Sequence, residues 1–165
     1  MSGRTNGTPK DIKMFKFKML TAVAAMFMLS ACADQAAVPA GGATAVAPGS
    51  IADFRQNVGD RVFFDTDQSS LRPDARTTLT RQAEWLKRYG NYQITVEGHA
   101  DERGTREYNL ALGDRRATAV RQFLVAQGVP AARLKTISYG KERPEVVGSD
   151  DGSWSRNRRG VSALQ

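Results

Sequence analysis

The sequence predicts an α/β sandwich over residues 52–165, with the order β-α-β-α-β-(α)-β, a small mixed sheet and helices packed on it. Two observations predict it. Short runs rich in β-branched and aromatic residues alternate with longer stretches whose apolar residues recur at helical spacing. Gly, Pro, Asn and Asp punctuate the joins between them.

Each element follows from its residues. Arg61–Phe64 is a β-branched and aromatic run ending in polar turn residues, a first strand. Arg72-Pro73-Asp74 opens a helix, because proline suits the first turn and aspartate favours the N-terminal dipole. Leu79, Ala83 and Leu86 give that helix a buried stripe through about Tyr89, and Gly90-Asn91 stop it. Tyr92–Gly98 reads as a second strand with Ile94 and Val96 on one face, followed by a loop from His99 to Arg106. Tyr108–Gln127 is the longest helix, with Leu110, Ala117, Val120, Phe123 and Leu124 along its apolar face. Gly128 caps it and Pro130 prevents continuation. Ala131–Leu134 forms one helical turn, Thr136–Tyr139 a third strand, 140–152 a loop, Trp154–Arg159 a short helix and Val161–Leu164 a closing strand.

Ahead of this body lies a different composition. Lys13, Lys16 and Lys18 precede an apolar run from Met19 to Leu29, then Ser30, Ala31 and Cys32. A positive region, a short apolar region and small residues are the parts of a secretory signal, here over residues 1–31. The apolar run is well below the roughly 20 residues that a spanning helix needs. Leu29-Ser30-Ala31-Cys32 resembles the bacterial lipobox, which implies a mature chain starting at Cys32 with an S-diacylglycerol and an N-acyl group. Such chains hold a protein to a membrane through about 0.8 kcal/mol per buried CH₂. Ala33, rather than aspartate, follows the cysteine, which implies sorting to the outer membrane. The long stretch before Lys13 points to Met14 as the true start. Residues 32–51 are the lipidated end and an Ala/Gly/Pro tether, able to reach roughly 60 Å when extended.

Composition excludes several functions. The chain has 24 Lys+Arg against 17 Asp+Glu, a net charge of +7. Arg4, Lys10, Lys13, Lys16, Lys18 and Asp11 fall in the leader, so much of the excess leaves with it. The remainder is a mixed-sign solvated surface, not a nucleic-acid footprint. One cysteine and one histidine, His99, exclude a disulfide framework, a multi-cysteine metal site and a His-only zinc site, and no cofactor is expected. Asp65/Asp67 and Asp101/Glu102 could pose as glycosidase carboxylates, but neighbouring arginines favour ionised acids over the raised pKa that a general acid needs. No nucleophile elbow or phosphate loop is present, so the reading is not an enzyme.

The segment VEGHADERGTREYNLALGDRRATAVRQFLVAQGV, residues 96–129, resembles the OmpA C-terminal-like family. RVFFDTDQSSLRPDA, ISYGKERP and SWSRNRRGV extend the resemblance over about residues 58–161. It implies a noncovalent binder of peptidoglycan that holds the diaminopimelate of the stem peptide. Carried over by motif, Asp101 pairs with the free ammonium of that residue and Arg116 forks to its carboxylate, with Leu112 between them. Arg103 and Asp67 are further carried-over contacts, while Asn109, Gly98 and Gly104 support the site. On residue type alone, Asp101 is a loop carboxylate able to pair with Arg103 or Arg106, and Arg116 is an ordinary helix arginine. His99 reads as structural, and Trp85 and Trp154 as packing residues. For lipidated members the resemblance implies an outer-membrane location with the domain in the periplasm. The implied partners are the periplasmic propeller protein TolB and the inner-membrane Tol complex, acting at constriction during division. A wall-binding lipoprotein without a Tol role is the alternative.

Departures from the family pattern carry expectations too. Thr66 stands where many relatives have an aromatic residue, which removes a packing contact to ligand. The tail RRGVSALQ lacks the usual aromatic ending, which predicts a frayed or shifted last strand.

Overall fold

The computed structural model describes residues 46–165; the signal segment, Cys32 and most of the tether lie outside the described residues. Its elements are α1 (Ile51–Asp53, running on as a π turn over Phe54–Val58), β1 (Arg61–Phe63), α2 (Pro73–Arg88), β2 (Ile94–His99), α3 (Arg106–Ala126), a 3₁₀ turn (Ala131–Arg133), β3 (Leu134–Gly140), α4 (Asp151–Asn157) and β4 (Arg159–Leu164). The sheet order is β1-β4-β2-β3. β4 runs antiparallel to both β1 and β2, and β3 runs parallel to β2, so the sheet is mixed as the alternation predicts. The parallel pair is joined by α3, the crossover that a parallel connection requires.

The expectation of a frayed tail is overturned. β4 is an inner strand, registered from Ile94↔Leu164 to Gly98↔Gly160 on β2 and from Arg61↔Val161 to Phe63↔Arg159 on β1. Backbone pairing on both edges and burial of Gly160, Ser162 and Leu164 hold it, so no terminal aromatic is needed. The tether boundary moves as well. Ser50 caps α1 by accepting from the Asp53 amide at 3.1 Å, and the Tyr92 hydroxyl donates to the Gly49 carbonyl at 2.7 Å. Residues 46–51 therefore include part of the folded body, despite their tether-like composition.

Phe54, fully buried, joins Trp85, Tyr89 and Tyr92 in an aromatic cluster with centroid separations of 4.7–5.5 Å around Trp85. The Trp85 indole donates to Asp53 at 2.8 Å, so the aromatic body is buried while its N–H is paired. The main core lies between the sheet and helices α2 and α3, built from Leu79, Leu86, Ile94, Val96, Val120 and Leu124. At Gly98 the backbones of β2 and α3 pack directly on each other. A Cβ there would lie 1.8 Å from the Gly113 carbonyl oxygen. Gly98 serves by its absent side chain and not by backbone freedom, since its φ is not positive.

No helix among the described residues is long and apolar enough to cross a membrane.

Candidate functional site

The end of β2, the loop after it, the first turns of α3 and the turn after β1 enclose a cavity of about 310 Å³. Its walls bring together Asp67, Asp101, Arg103, Gly104, Asn109, Leu112 and Arg116, all expected from the sequence except for the company they keep: Thr66 and Tyr108 also line it. Gly98 stands behind it, under α3.

The loop between β2 and α3 is fixed from within. Gly104 has φ +85°, a left-handed conformation that glycine adopts without strain. Asn109 Nδ2 donates to the Arg103 carbonyl at 2.7 Å and to the Thr105 carbonyl at 3.1 Å. Thr105 caps α3 by accepting from the Tyr108 amide at 3.2 Å. Lys141 Nζ closes the other side on the carbonyls of Glu102 and Gly104.

Asp101 is 7% exposed. Its Oδ1 accepts from the Arg103 amide and Nε, both at 3.1 Å, and its Oδ2 from Arg103 Nη2 at 2.7 Å and Arg158 Nη1 at 3.3 Å. Burial works to raise its pKa, but these hydrogen bonds outweigh it and hold the carboxyl below the ordinary range. It is ionised at neutral pH. The surface pairing with Arg103 that its residue type suggested is thus real, and it lies inside the cavity.

Arg116 is fully buried beneath the cavity. Its Nε donates to the Gln68 carbonyl at 2.8 Å, Nη1 to the His99 carbonyl at 2.7 Å and Nη2 to the Asp65 carbonyl at 3.1 Å. The guanidinium carbon sits 5.2 Å from the centre of the Phe64 ring. Burial, then the nearby Arg158 charge, push its pKa down to about 10, which leaves it charged. The motif reading anticipated a ligand fork. The structure shows a structural task, since this one side chain ties the turn after β1 and the end of β2 to α3. A guanidinium has five N–H donors and three are used here, leaving one on each Nη.

Asp67 lies at the mouth with φ +60° and accepts from the Tyr108 hydroxyl, which bridges the turn after β1 to α3. Thr66, in the place of an aromatic, has its hydroxyl 3.5 Å from Arg103 Nη2. Leu112 is 4% exposed and gives the wall an apolar surface.

Arg158 and Trp154 were not singled out for the site. Arg158 Nε donates to the Phe64 carbonyl at 3.1 Å while Nη1 reaches Asp101. Trp154 packs against the charge and not the core: the Arg103 guanidinium stacks over its ring at 4.2 Å, and its indole donates to Glu102 at 3.1 Å. Both lie in SWSRNRRGV, 52 and 57 positions from the loop carboxylates they bind, so the motif was legible and its destination was not. His99 is 1% exposed and rests against the Tyr139 ring at 5.5 Å, consistent with a structural role. No cluster of three or more His, Cys, Asp or Glu side chains placed to hold a metal ion occurs among the described residues.

The model of the OmpA family matches residues 63–158. A peptidoglycan-associated lipoprotein of Agrobacterium fabrum is 57% identical over 159 residues, covering 92% of this chain and 90% of that protein. One from Brucella melitensis is 63% identical over 123 residues, covering 74% of this chain and 73% of that protein. The crystal structure of the peptidoglycan-associated lipoprotein from Burkholderia pseudomallei superposes with a TM-score of 0.63 at 42% identity, covering 64% of this chain and 90% of that one. These relatives carry the name of a wall-associated lipoprotein and not of an enzyme. With the mixed sheet and the GHADERGT loop in place, the chain belongs to the OmpA family, among the peptidoglycan-associated lipoproteins.

Proposed function

We propose that the protein is an outer-membrane lipoprotein that grips peptidoglycan noncovalently and so tethers membrane to wall. The observation that carries this reading is one cavity holding an ionised, nearly buried carboxylate, Asp101, and a buried guanidinium with unused donors, Arg116. The far end of diaminopimelate is a zwitterion. Its ammonium fits Asp101 and its carboxylate fits the Arg116 fork, with Leu112 against the aliphatic chain and Asp67 and Arg103 at the mouth. Binding makes and breaks no bond.

The anchor is the lipid on Cys32, and the Ala/Gly/Pro tether places the domain in the periplasm at a distance from its membrane. The relatives' names support association with the wall. TolB and the inner-membrane Tol complex are the partners through which such a tether would follow constriction at division.

A pull-down with purified sacculi tests the central claim. The domain is expected to sediment with sacculi, and Asp101→Asn to lose most of that binding while keeping its fold by circular dichroism. Retention by Asp101→Asn at the wild-type level overturns the pocket. A stem whose diaminopimelate carboxylate is amidated is expected to bind more weakly, because the Arg116 partner loses its charge. Mass spectrometry of the mature protein is expected to find diacylglycerol and acyl groups on Cys32, and purified TolB tests the Tol arm separately.

A further inference from the structure

The carboxylate assigned to the ligand is already occupied. Arg103 covers Asp101 with Nε at 3.1 Å and Nη2 at 2.7 Å, and Arg158 adds a contact at 3.3 Å. The two cations differ in freedom. The Arg158 side chain is 14% exposed and also bound to the Phe64 carbonyl, whereas that of Arg103 is 41% exposed. Arg103 is the one that can leave. Its guanidinium rests on the Trp154 ring at 4.2 Å, a surface that holds a cation without neutralising it. Its backbone amide keeps its own bond to Asp101 when the side chain turns away.

We propose that Arg103 is a specificity-determining counter-ion that makes the cavity accept a dipolar ligand and refuse a singly charged one. The inference rests on the wall-binding reading above and deepens it. An incoming ammonium takes Asp101 only by displacing Arg103. Unless the ligand also brings a carboxylate, the displaced guanidinium loses its hydrogen-bonded acid and keeps only the longer-range charges of Asp151 and Glu102. A carboxylate alone can take the free donors of Arg116 but brings no cation to Asp101, so recruiting Arg103 as well leaves that nearly buried acid with only Arg158 as a counter-charge. A zwitterion re-pairs both groups at once: its ammonium replaces Arg103 on Asp101, and its carboxylate receives Arg103 together with the free donors of Arg116. Every charge present before binding has an opposite partner afterwards. Discrimination then comes from the unpaired charge that a wrong ligand leaves behind.

Three synthetic stem tripeptides ending in diaminopimelate separate the terms by calorimetry: one with the free zwitterionic centre, one with its carboxylate amidated and one with its amine acetylated. Wild type is expected to bind the zwitterion at least tenfold more tightly than either blocked stem. Arg103→Met is expected to bind the amidated stem several-fold more tightly than wild type does, because the resident competitor is gone, while gaining nothing for the zwitterion. Arg103→Gln is carried in parallel, with thermal unfolding of both variants, so that a folding defect in one does not decide the result. Equal or weaker binding of the amidated stem by both folded variants overturns the exchange, as does an equal loss on all three stems. If wild type binds no stem, the wall-binding reading itself fails, an outcome distinct from binding without exchange.

Discussion

Gly98 and Gly113 meet backbone to backbone: a Cβ on Gly98 would lie 1.8 Å from the Gly113 carbonyl oxygen, and one on Gly113 would lie 2.8 Å from that of Gly98 and 2.3 Å from Ser138 Oγ. This contact sets how closely α3 lies on β2. It thereby sets where Asp101, three residues beyond Gly98, stands relative to Arg116, three residues beyond Gly113. Gly98→Ala must push helix and strand apart. We expect a loss of about 2 kcal/mol or more, read as a lower midpoint in urea, with weaker sacculus binding in the fraction that folds. An unchanged midpoint would show that the helix shifts freely, and the site geometry with it.

Arg116→Met keeps the bulk of the side chain and removes every donor. The carbonyls of Asp65, Gln68 and His99 then lose a partner, and the turn after β1 loses its tie to α3. The expected cost is about 3 kcal/mol or more. Arg116→Lys is expected to recover only part of it, since one ammonium cannot reach three carbonyls in the plane of a guanidinium. Faster amide exchange in the turn at residues 65–68 is the local signature.

His99 gives stability a pH slope. Burial, then the adjacent Arg159 charge, push its imidazole down from 6.5 to about 4. Between those values the unfolded chain binds a proton that the folded one does not, so stability falls as pH drops from 6.5 towards 4. The total is at most about 3 kcal/mol. The contribution is fully present above pH 6.5 and spent below 4. Urea melts at stepped pH are expected to show this slope in wild type and a clearly shallower one in His99→Gln, where only carboxylates held below their ordinary range, such as Asp101, still contribute. The same slope in the variant would assign it to the carboxylates.

Trp85→Phe removes the donor that holds Asp53 and shrinks the ring that packs Phe54, Tyr89 and Tyr92. Limited proteolysis is expected to cut near residues 46–58 sooner than in wild type, with the sheet still intact. An unchanged cutting rate would mean that α1 is held by the Tyr92 bond to Gly49 and its own cap alone.

Much of the fold was legible from local chemistry. Pro73 at the start of α2, Gly128 after α3 and the β-branched run of β2 act within a few residues of themselves, and those elements fall close to where the sequence puts them. The sequence puts α4 late, because Asp150 is its cap and Asp150-Asp151 between Ser149 and Gly152 reads as loop. α1 was hidden by composition, since Pro48, Gly49 and Ser50 look like tether until Tyr89 and Tyr92 close over them.

Local chemistry along the chain was enough for the alternation of strands and helices, the leader pattern ending at Cys32 and the family that the GHADERGT motif marks. These are patterns of neighbours along the chain. Folding in three dimensions was needed to bring Arg158 and Trp154 onto Asp101 and Arg103 of the cavity wall, to seat Arg103 on Asp101, and to spend three donors of Arg116 on the backbone around it. Those are pairings of charges and carbonyls across 2 to 57 positions, and for most of them only the packing of α3 on the sheet fixes which groups come within hydrogen-bond reach.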